Sequence, residues 1–206
     1  AQGLYEGQDI GNGGTTGLIT YMRTDSTNVS PLAQTEAREY VSGKYGNDYL
    51  PAEPPTYKTR SANAQEAHEA VRPTSILRSP DSIRDALTVD QARLYELIWK
   101  RTLASQMADA RVRRVTARFL ARSTGGEDAT FQATGRTIEF PGYRLAYVED
   151  LDDAEAELAE SERVLPDLRA GQSATATELK PQGHTTQPPP RLTEAGLIKE
   201  LEARGI

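Results

Sequence analysis

Gly17-Leu18-Ile19-Thr20-Tyr21-Met22-Arg23-Thr24-Asp25-Ser26-Thr27 is the stretch on which the organisation of this chain turns. Leu18 to Tyr21 reads as a short, apolar, strand-like approach, following a flexible turn at Gly11-Asn12-Gly13-Gly14. Residues i and i+2 of an extended backbone point to one side, so Tyr21, Arg23 and Asp25 can converge. A phenol with a pKa of about 10 is a poor nucleophile near neutrality and needs help. A neighbouring guanidinium favours the phenolate, and it can donate two parallel hydrogen bonds to a phosphate as charge grows on the phosphoryl oxygens. Asp25 is placed to orient Arg23 or to hold a proton. As a bare pattern, however, Tyr-x-Arg-x-Asp is weak. An ordinary turn at a sheet edge, with Tyr21 half-buried and Arg23 and Asp25 as a surface pair, is the commoner outcome of such spacing.

Working outward, Ser30-Pro31 starts a helix, with Ser30 as its cap and Pro31 in the first helical position. Its apolar positions are Leu32, Ala33, Ala37, Tyr40 and Val41, and it stops at Gly43 or Gly46. Residues 49–64 are rich in proline and polar side chains and predict a loop. Residues 65–71 predict a short helix that ends before Pro73. Thr88 caps the longest predicted helix, roughly Val89 to Asp109, whose Ala92, Tyr95, Leu97, Ile98, Leu103 and Met107 follow helical spacing, with Trp99 at the edge of the core. From Arg113 the period becomes two: Val115, Ala117, Phe119 and Ala121 alternate with mostly polar neighbours, and Ser123 to Glu127 is a turn. Residues 130–134, 137–140, 143–147 and 173–179 continue the β pattern. Pro188-Pro189-Pro190 is a stiff connector, and Thr193-Glu194-Ala195-Gly196 opens a last helix with Leu197, Ile198 and Leu201 on one face. The fold class is therefore α+β. A mostly helical unit reaches to about residue 110, a β unit to about 187, and residues 188–206 begin something further.

Composition narrows the possibilities. The 206 residues include no cysteine and two histidines, which excludes a disulfide framework and a thiolate metal site. Nothing approaches the roughly 18 consecutive apolar residues of a membrane helix, and no secretion signal is visible, so a soluble cytoplasmic protein is expected. The chain opens at Ala1 and stops at Ile206 on a helical pattern, as an internal segment of a larger protein would. The net charge of −6 is unevenly spread. Eight acids between Glu149 and Arg163 face Arg163 alone, a stretch with the alanine-rich spacing of a flexible insertion. Arg93 to Arg122 carries eight basic residues against two acids, Glu96 and Asp109. Such a basic face suits a nucleic-acid backbone, although arginines on strands are more often solvated surface. The glycine run at residues 11–14 lacks the Lys-Ser/Thr ending of a nucleotide-binding loop.

The Tyr21 block resembles the active-site signature of bacterial type IA DNA topoisomerases, and Leu4-Tyr5-Glu6-Gly7 is similar to the helix that precedes it in that family. Further matches are Gln65-Glu66-Ala67-His68-Glu69-Ala70-Val71-Arg72-Pro73-Thr74 and Leu94-Tyr95-Glu96-Leu97-Ile98-Trp99. A fourth runs from Pro188 through Thr193-Glu194-Ala195 to Leu197-Ile198-Lys199-Glu200-Leu201-Glu202. The four blocks stand in family order and span nearly the whole chain.

The resemblance implies a helical, winged-helix-like tyrosine domain at 1–110 and part of a β-rich arch at 111–187, with the acidic insertion at 149–163. Residues 188–206 become the connector and first helix of a base domain. It implies relaxation of negatively supercoiled DNA without ATP, through transient single-strand cleavage and a 5′-phosphotyrosine at Tyr21. Arg23 would bind the scissile phosphate, His68 would contact it and assist proton traffic, and Asp25 would support them. Taken alone, His68 also fits a surface residue beside Glu69, and Arg72 fits either a helix cap or a DNA-backbone contact. The family's Mg²⁺ is held by an acidic cluster in a Toprim domain that nothing here matches. The expected cofactor therefore has its ligands outside this segment, no metal is expected on the segment itself, and the segment alone should be inactive. The expected partners are single-stranded or negatively supercoiled DNA, together with the Toprim and base domains of the same chain. The alternative is a non-catalytic, winged-helix-like DNA-binding module that sets Arg93 to Arg122 on phosphates.

Overall fold

The computed structural model describes residues 1–11, 13–57, 68–148 and 163–204. By internal contacts the chain divides into two units: one of Ala1–Arg111 with the segment that starts at Ile138, the other of Val112–Thr137 with the stretch from Arg163 on.

The first unit opens with α1 (Gln2–Glu6), whose Leu4 is fully buried. Strands β1 (Gln8–Asp9) and β2 (Thr15–Thr16) then pair antiparallel, Gln8 opposite Thr16. Gly7 joins α1 to this hairpin at φ 121°, where a Cβ would stand 2.4 Å from the Thr15 methyl. Helix α2 (Pro31–Tyr45) starts and stops where its sequence predicts, at Ser30 and Gly46, and buries Ala37 and Val41. Ser30 occupies the cap position without a capping hydrogen bond. Leu32, on the expected apolar face, is exposed.

The short helix expected over 65–71 is not formed in its described part: His68 to Val71 are non-helical, while residues 65–67 lie outside the described residues. The backbone groups that a helix would use internally are instead spent on the Tyr21 strand, as detailed below. A small helix not among the expected elements, α3 (Pro80–Ile83), opens on Ser79-Pro80 as α2 opens on Ser30-Pro31, and leads through a 3₁₀ turn (Arg84–Ala86) to α4 (Val89–Ser105). Thr88 caps α4 in a reciprocal box with Gln91. The helix ends at Ser105 rather than near Asp109, because the Ala108 N–H turns away to the Tyr49 carbonyl at 2.7 Å.

Tyr95, Trp99, Leu103 and Ala104 of α4 form the centre of the core with Leu4, Leu18, Ile19, Val41, Ile76 and Ile83. Trp99 lies within this core, not at its edge. Its indole N–H donates to the Ile76 carbonyl at 2.8 Å, and its ring meets Tyr40 edge-on at 5.5 Å. Tyr95 donates its hydroxyl to the Arg78 carbonyl at 2.8 Å.

Strands β3 (Arg111–Arg122) and β4 (Asp128–Phe140) form a long two-stranded hairpin. The runs 130–134 and 137–140 belong to one continuous strand. Gly126, at φ 84°, makes the turn between them. In the second unit Arg136 of β4 pairs with Arg163 through two backbone hydrogen bonds of 2.8 and 3.0 Å.

Two expected strands are absent. Residues 143–147 form a 3₁₀ turn (Gly142–Arg144) running into α5 (Leu145–Val148), because Gly142, at φ 51°, packs too close to Ala108 and Asp109 for a Cβ and redirects the chain. Residues 173–179 have strand-like alternation but pair with no described strand, and a β pattern without a partner ladder stays irregular. The last helix, α6 (Glu194–Arg204), begins at Thr193, whose hydroxyl accepts from the Gly196 N–H at 3.1 Å. The acidic run through Glu162 lies outside the described residues. Among the described residues no helix is long and apolar enough to cross a membrane.

Candidate active site

Two extended segments build the site. Leu18 to Thr20 runs alongside Arg72 to Thr74: Ile19 bridges Pro73 antiparallel, Thr20 N–H donates to the Arg72 carbonyl at 2.9 Å, and Thr74 N–H donates to the Leu18 carbonyl at 3.0 Å. Leu18 and Ile19 are buried, so the hydrophobic core fixes the strand that delivers Tyr21. Gly17 passes so near α1 that a Cβ would lie 2.9 Å from the Tyr5 carbonyl, which explains a small residue at the head of the motif.

Tyr21 to Thr27 then forms a loop around the incoming segment 68–72. One stem of the loop, Thr20, donates its hydroxyl to the Ala70 carbonyl at 2.7 Å. The other stem, Asn28, accepts the Ala70 N–H at 2.7 Å. Farther round, the Thr27 hydroxyl donates to the Tyr57 carbonyl at 2.9 Å, and the Tyr57 hydroxyl donates to the Ser105 carbonyl at the end of α4. Burial, with Asp109 adding to it, raises the Tyr57 phenol above its ordinary value.

This clasp gathers Tyr21, Arg23, Asp25 and His68. Tyr21 is 48% exposed, with its ring edge-on to His68 at 5.9 Å and to Tyr5 at 5.5 Å. The Arg23 Nε lies 2.8 Å from one oxygen of Asp25, and the His68 Nε2 lies 2.9 Å from the other. Asp25 and His68 are largely buried, while Arg23 reaches into solvent.

The other imidazole nitrogen, Nδ1, is 3.0 Å from the Glu69 carbonyl, which can only accept, so Nδ1 carries a hydrogen. Nε2 therefore faces a carboxylate oxygen with no hydrogen of its own unless the pair holds one further proton, on either partner. Both atoms are shielded from water. The arrangement is suited to hold one proton and pass it with little movement.

Arg72 is turned inward. It donates to the Glu69 carboxylate and to its neighbour's carbonyl, Pro73 O, at 2.8 Å, and it reaches Ser30 Oγ at 3.5 Å. The Arg72 hydrogen bond is the main cause that holds the Glu69 carboxyl below the usual carboxylate range, with Ser30 assisting against partial burial. His184 lies on exposed chain in the second unit. Thr20, Asn28, Glu69 and Tyr5 were not anticipated as parts of the site. Backbone acceptors such as Ala70 O leave no trace in residue type, and only the hydroxyl of Thr20 offered a signal.

Among the described residues no group of three His, Asp or Glu is placed to hold a metal ion. Asp25 already lies between Arg23 and His68, and Glu69 is bound by Arg72, so the acids nearest Tyr21 do not fit a hard-cation site.

An exposed phenol edge-on to an imidazole, which a carboxylate joins to a guanidinium, brings together residue types that phosphoryl transfer by a tyrosine requires. The whole chain, residues 1–206, matches the DNA topoisomerase family model, and the chain belongs to that family. It is 50% identical over its full length to DNA topoisomerase 1 of Streptomyces coelicolor, covering 21% of that protein. It is 46% identical to DNA topoisomerase 1 of Xylella fastidiosa, covering 25% of it. Full-length topoisomerase I from Thermotoga maritima is a structural match with a TM-score of 0.69 at 34% identity, over all of this chain and 30% of that one. The chain thus spans about a fifth to a quarter of the curated relatives it matches.

Proposed function

We propose that this chain is the strand-cleaving segment of a type IA DNA topoisomerase and that Tyr21 is its nucleophile. The observation that carries the reading is the half-exposed Tyr21 ring set against His68, with Asp25 joining His68 to Arg23. Tyr21 Oη attacks a backbone phosphorus of single-stranded DNA, the bond to the 3′-oxygen breaks, and a 5′-phosphotyrosine forms. The phenol gives up its proton and the departing 3′-oxygen takes one, for which the Asp25–His68 pair is placed as donor or acceptor. Arg23 offsets the charge that grows on the phosphoryl oxygens. After strand passage the 3′-hydroxyl reverses the reaction. One phosphodiester replaces another, so relaxation of negatively supercoiled DNA needs no ATP. Arg72 serves by holding the His68 segment from within.

In this reading residues 1–110 are the tyrosine domain, 111–187 contribute to an arch and 188–206 enter a base domain, in a cytoplasmic enzyme of the bacterial nucleoid. Mg²⁺ and the acidic cluster that binds it belong to a Toprim domain elsewhere in the intact protein. The segment alone is accordingly inactive, and Mg²⁺-dependent nicking of supercoiled plasmid by the purified segment would overturn that part.

The main test is trapping. Full-length protein denatured on single-stranded DNA should yield a covalent adduct that maps to Tyr21 and disappears in Tyr21→Phe. An adduct at another residue refutes the assignment. No adduct at all, with DNA affinity intact, favours a non-catalytic binding module.

A further inference from the structure

The loop that carries Tyr21, Arg23 and Asp25 is closed by two residues that grip the same neighbour. Thr20 donates its hydroxyl to the Ala70 carbonyl at 2.7 Å, while the Ala70 N–H donates to the Asn28 carbonyl at 2.7 Å. The Thr20 hydroxyl is used a second time, accepting the Arg72 N–H at 2.9 Å. One side chain, immediately before Tyr21, thus engages the backbone of the opposite segment at two points, two and four residues beyond His68. Strand pairing alone does not supply these links. The backbone ladder here consists of the Ile19–Pro73 bridge and its flanking hydrogen bonds, and the hydroxyl takes over where the chains diverge toward the site.

We propose that Thr20 is a positioning residue for the cleavage reaction, its hydroxyl setting the spacing between the Tyr21 strand and the segment that delivers His68. It acts through Tyr21 and His68 and does not touch DNA. The inference rests on the functional reading above. Valine matches threonine in shape but can neither donate nor accept, so Thr20→Val leaves the Ala70 carbonyl and Arg72 N–H to find other partners. The Ile19–Pro73 bridge, Thr20 N–H and Thr74 N–H remain to keep the two segments together. A displacement of about 1 Å between reacting groups can cost on the order of 100-fold in rate.

The experiment uses the full-length protein with single-stranded DNA and measures adduct formation at saturating and limiting DNA, across pH, alongside thermal unfolding. Thr20→Val should keep its melting temperature within a few degrees and its DNA affinity within about 3-fold. Its rate of adduct formation should fall by about 10- to 100-fold with an altered pH profile. Thr20→Ser, which restores the hydroxyl, should recover most of the rate. Thr102→Val removes a comparable hydroxyl bond, to the Ile98 carbonyl at 2.8 Å within α4 and away from the two segments, and should cleave normally. A Thr20→Val protein that cleaves at the parental rate overturns the proposal, as does a loss confined to DNA affinity or a Thr20→Ser protein as slow as the valine variant. If Thr20→Val does not fold, Thr20→Ala is judged by the same outcomes. An adduct of the parent mapped away from Tyr21 rejects the functional reading itself. A parental adduct at Tyr21 with unimpaired Thr20→Val cleavage rejects only the role of Thr20.

Discussion

Trp99 and Phe131 are both large aromatics within regular elements, yet Trp99 is 4% exposed in the first unit and Phe131 is 50% exposed on the hairpin of the second. The contrast extends beyond this pair. Every buried apolar side chain of the described core belongs to the first unit, while Val112, Val115, Leu120 and Phe131 of β3 and β4 stand open. The first unit therefore carries the packing that fixes the geometry of the candidate site: the strand bearing Tyr21 is buried at Leu18 and Ile19, and its neighbour is anchored at Ile76 beneath Trp99. The hairpin's described residues are held mainly by their own ladder and by the Arg136–Arg163 bridge.

Replacing Trp99 by alanine tests this difference most severely. The variant loses the ring that packs on Tyr40 and leaves the Ile76 carbonyl without its donor, so urea unfolding of the first unit should fall by about 3–5 kcal/mol. A loss below about 1 kcal/mol would mean that the core does not carry the unit's stability.

Tyr95 gives the next largest effect. Burial, opposed by Arg78 and reinforced by Glu36, pushes its phenol up to about 12. The folded state thus keeps a proton that the unfolded chain releases near pH 10. The stabilisation is complete below pH 10 and declines as pH rises toward 12, by about 2–3 kcal/mol at the top of that window. Tyr95→Phe should flatten that part of an alkaline stability profile, at the cost of the hydrogen bond to the Arg78 carbonyl. An unchanged profile would show that Tyr95 titrates in the fold as it does unfolded.

Why the first unit was the more legible of the two follows from the same packing. Thr88, Tyr95 and Leu103 mark α4 because a cap and a 3.6-residue apolar repeat are local signals that the core then uses. The Tyr21–Asp25 motif was readable only as a candidate, since its alternation is equally that of a surface turn. What gathers it into a candidate site is His68, 43 positions later than Asp25, brought in by the bonds of the Thr20 hydroxyl with the Ala70 and Arg72 backbone, groups that leave no trace in residue type. For the same reason residues 65–71 misled: Gln65 to Val71 has helical composition, but its described part spends its backbone groups on Thr20 and Asn28. Residues 173–179 misled in the opposite sense, since alternation predicts a strand only where a partner edge receives it.

Two ion pairs sharpen the comparison at acid pH. Glu69 with Arg72 is partly enclosed, and Asp128 with Arg122 flanks the hairpin turn in open solvent. Both carboxyls are held below their ordinary range, chiefly by the arginine hydrogen bond. Each therefore contributes stability that is present above the unfolded carboxylate pKa, about 4, and is lost as pH falls through the lower, folded value. Salt distinguishes them. In 1 M NaCl the Asp128 contribution should largely vanish, whereas the stability difference between wild type and Glu69→Gln measured above pH 4 should persist. Equal salt sensitivity of the two would remove the distinction between an enclosed and an open pair.

Phe131→Ala should have the smallest effect and is the most direct attempt to break the comparison. An aromatic half-exposed on a hairpin loses little on truncation, so unfolding should change by no more than about 0.5 kcal/mol, an order of magnitude below Trp99→Ala. The same substitution should leave the rate of Tyr21 adduct formation untouched in the full-length protein. If Phe131→Ala instead cost several kcal/mol there, the exposed face of β4 would be buried by parts of the protein outside this segment. The hairpin would then owe its stability to them, in the way the Tyr21 site owes its own to the α4 core.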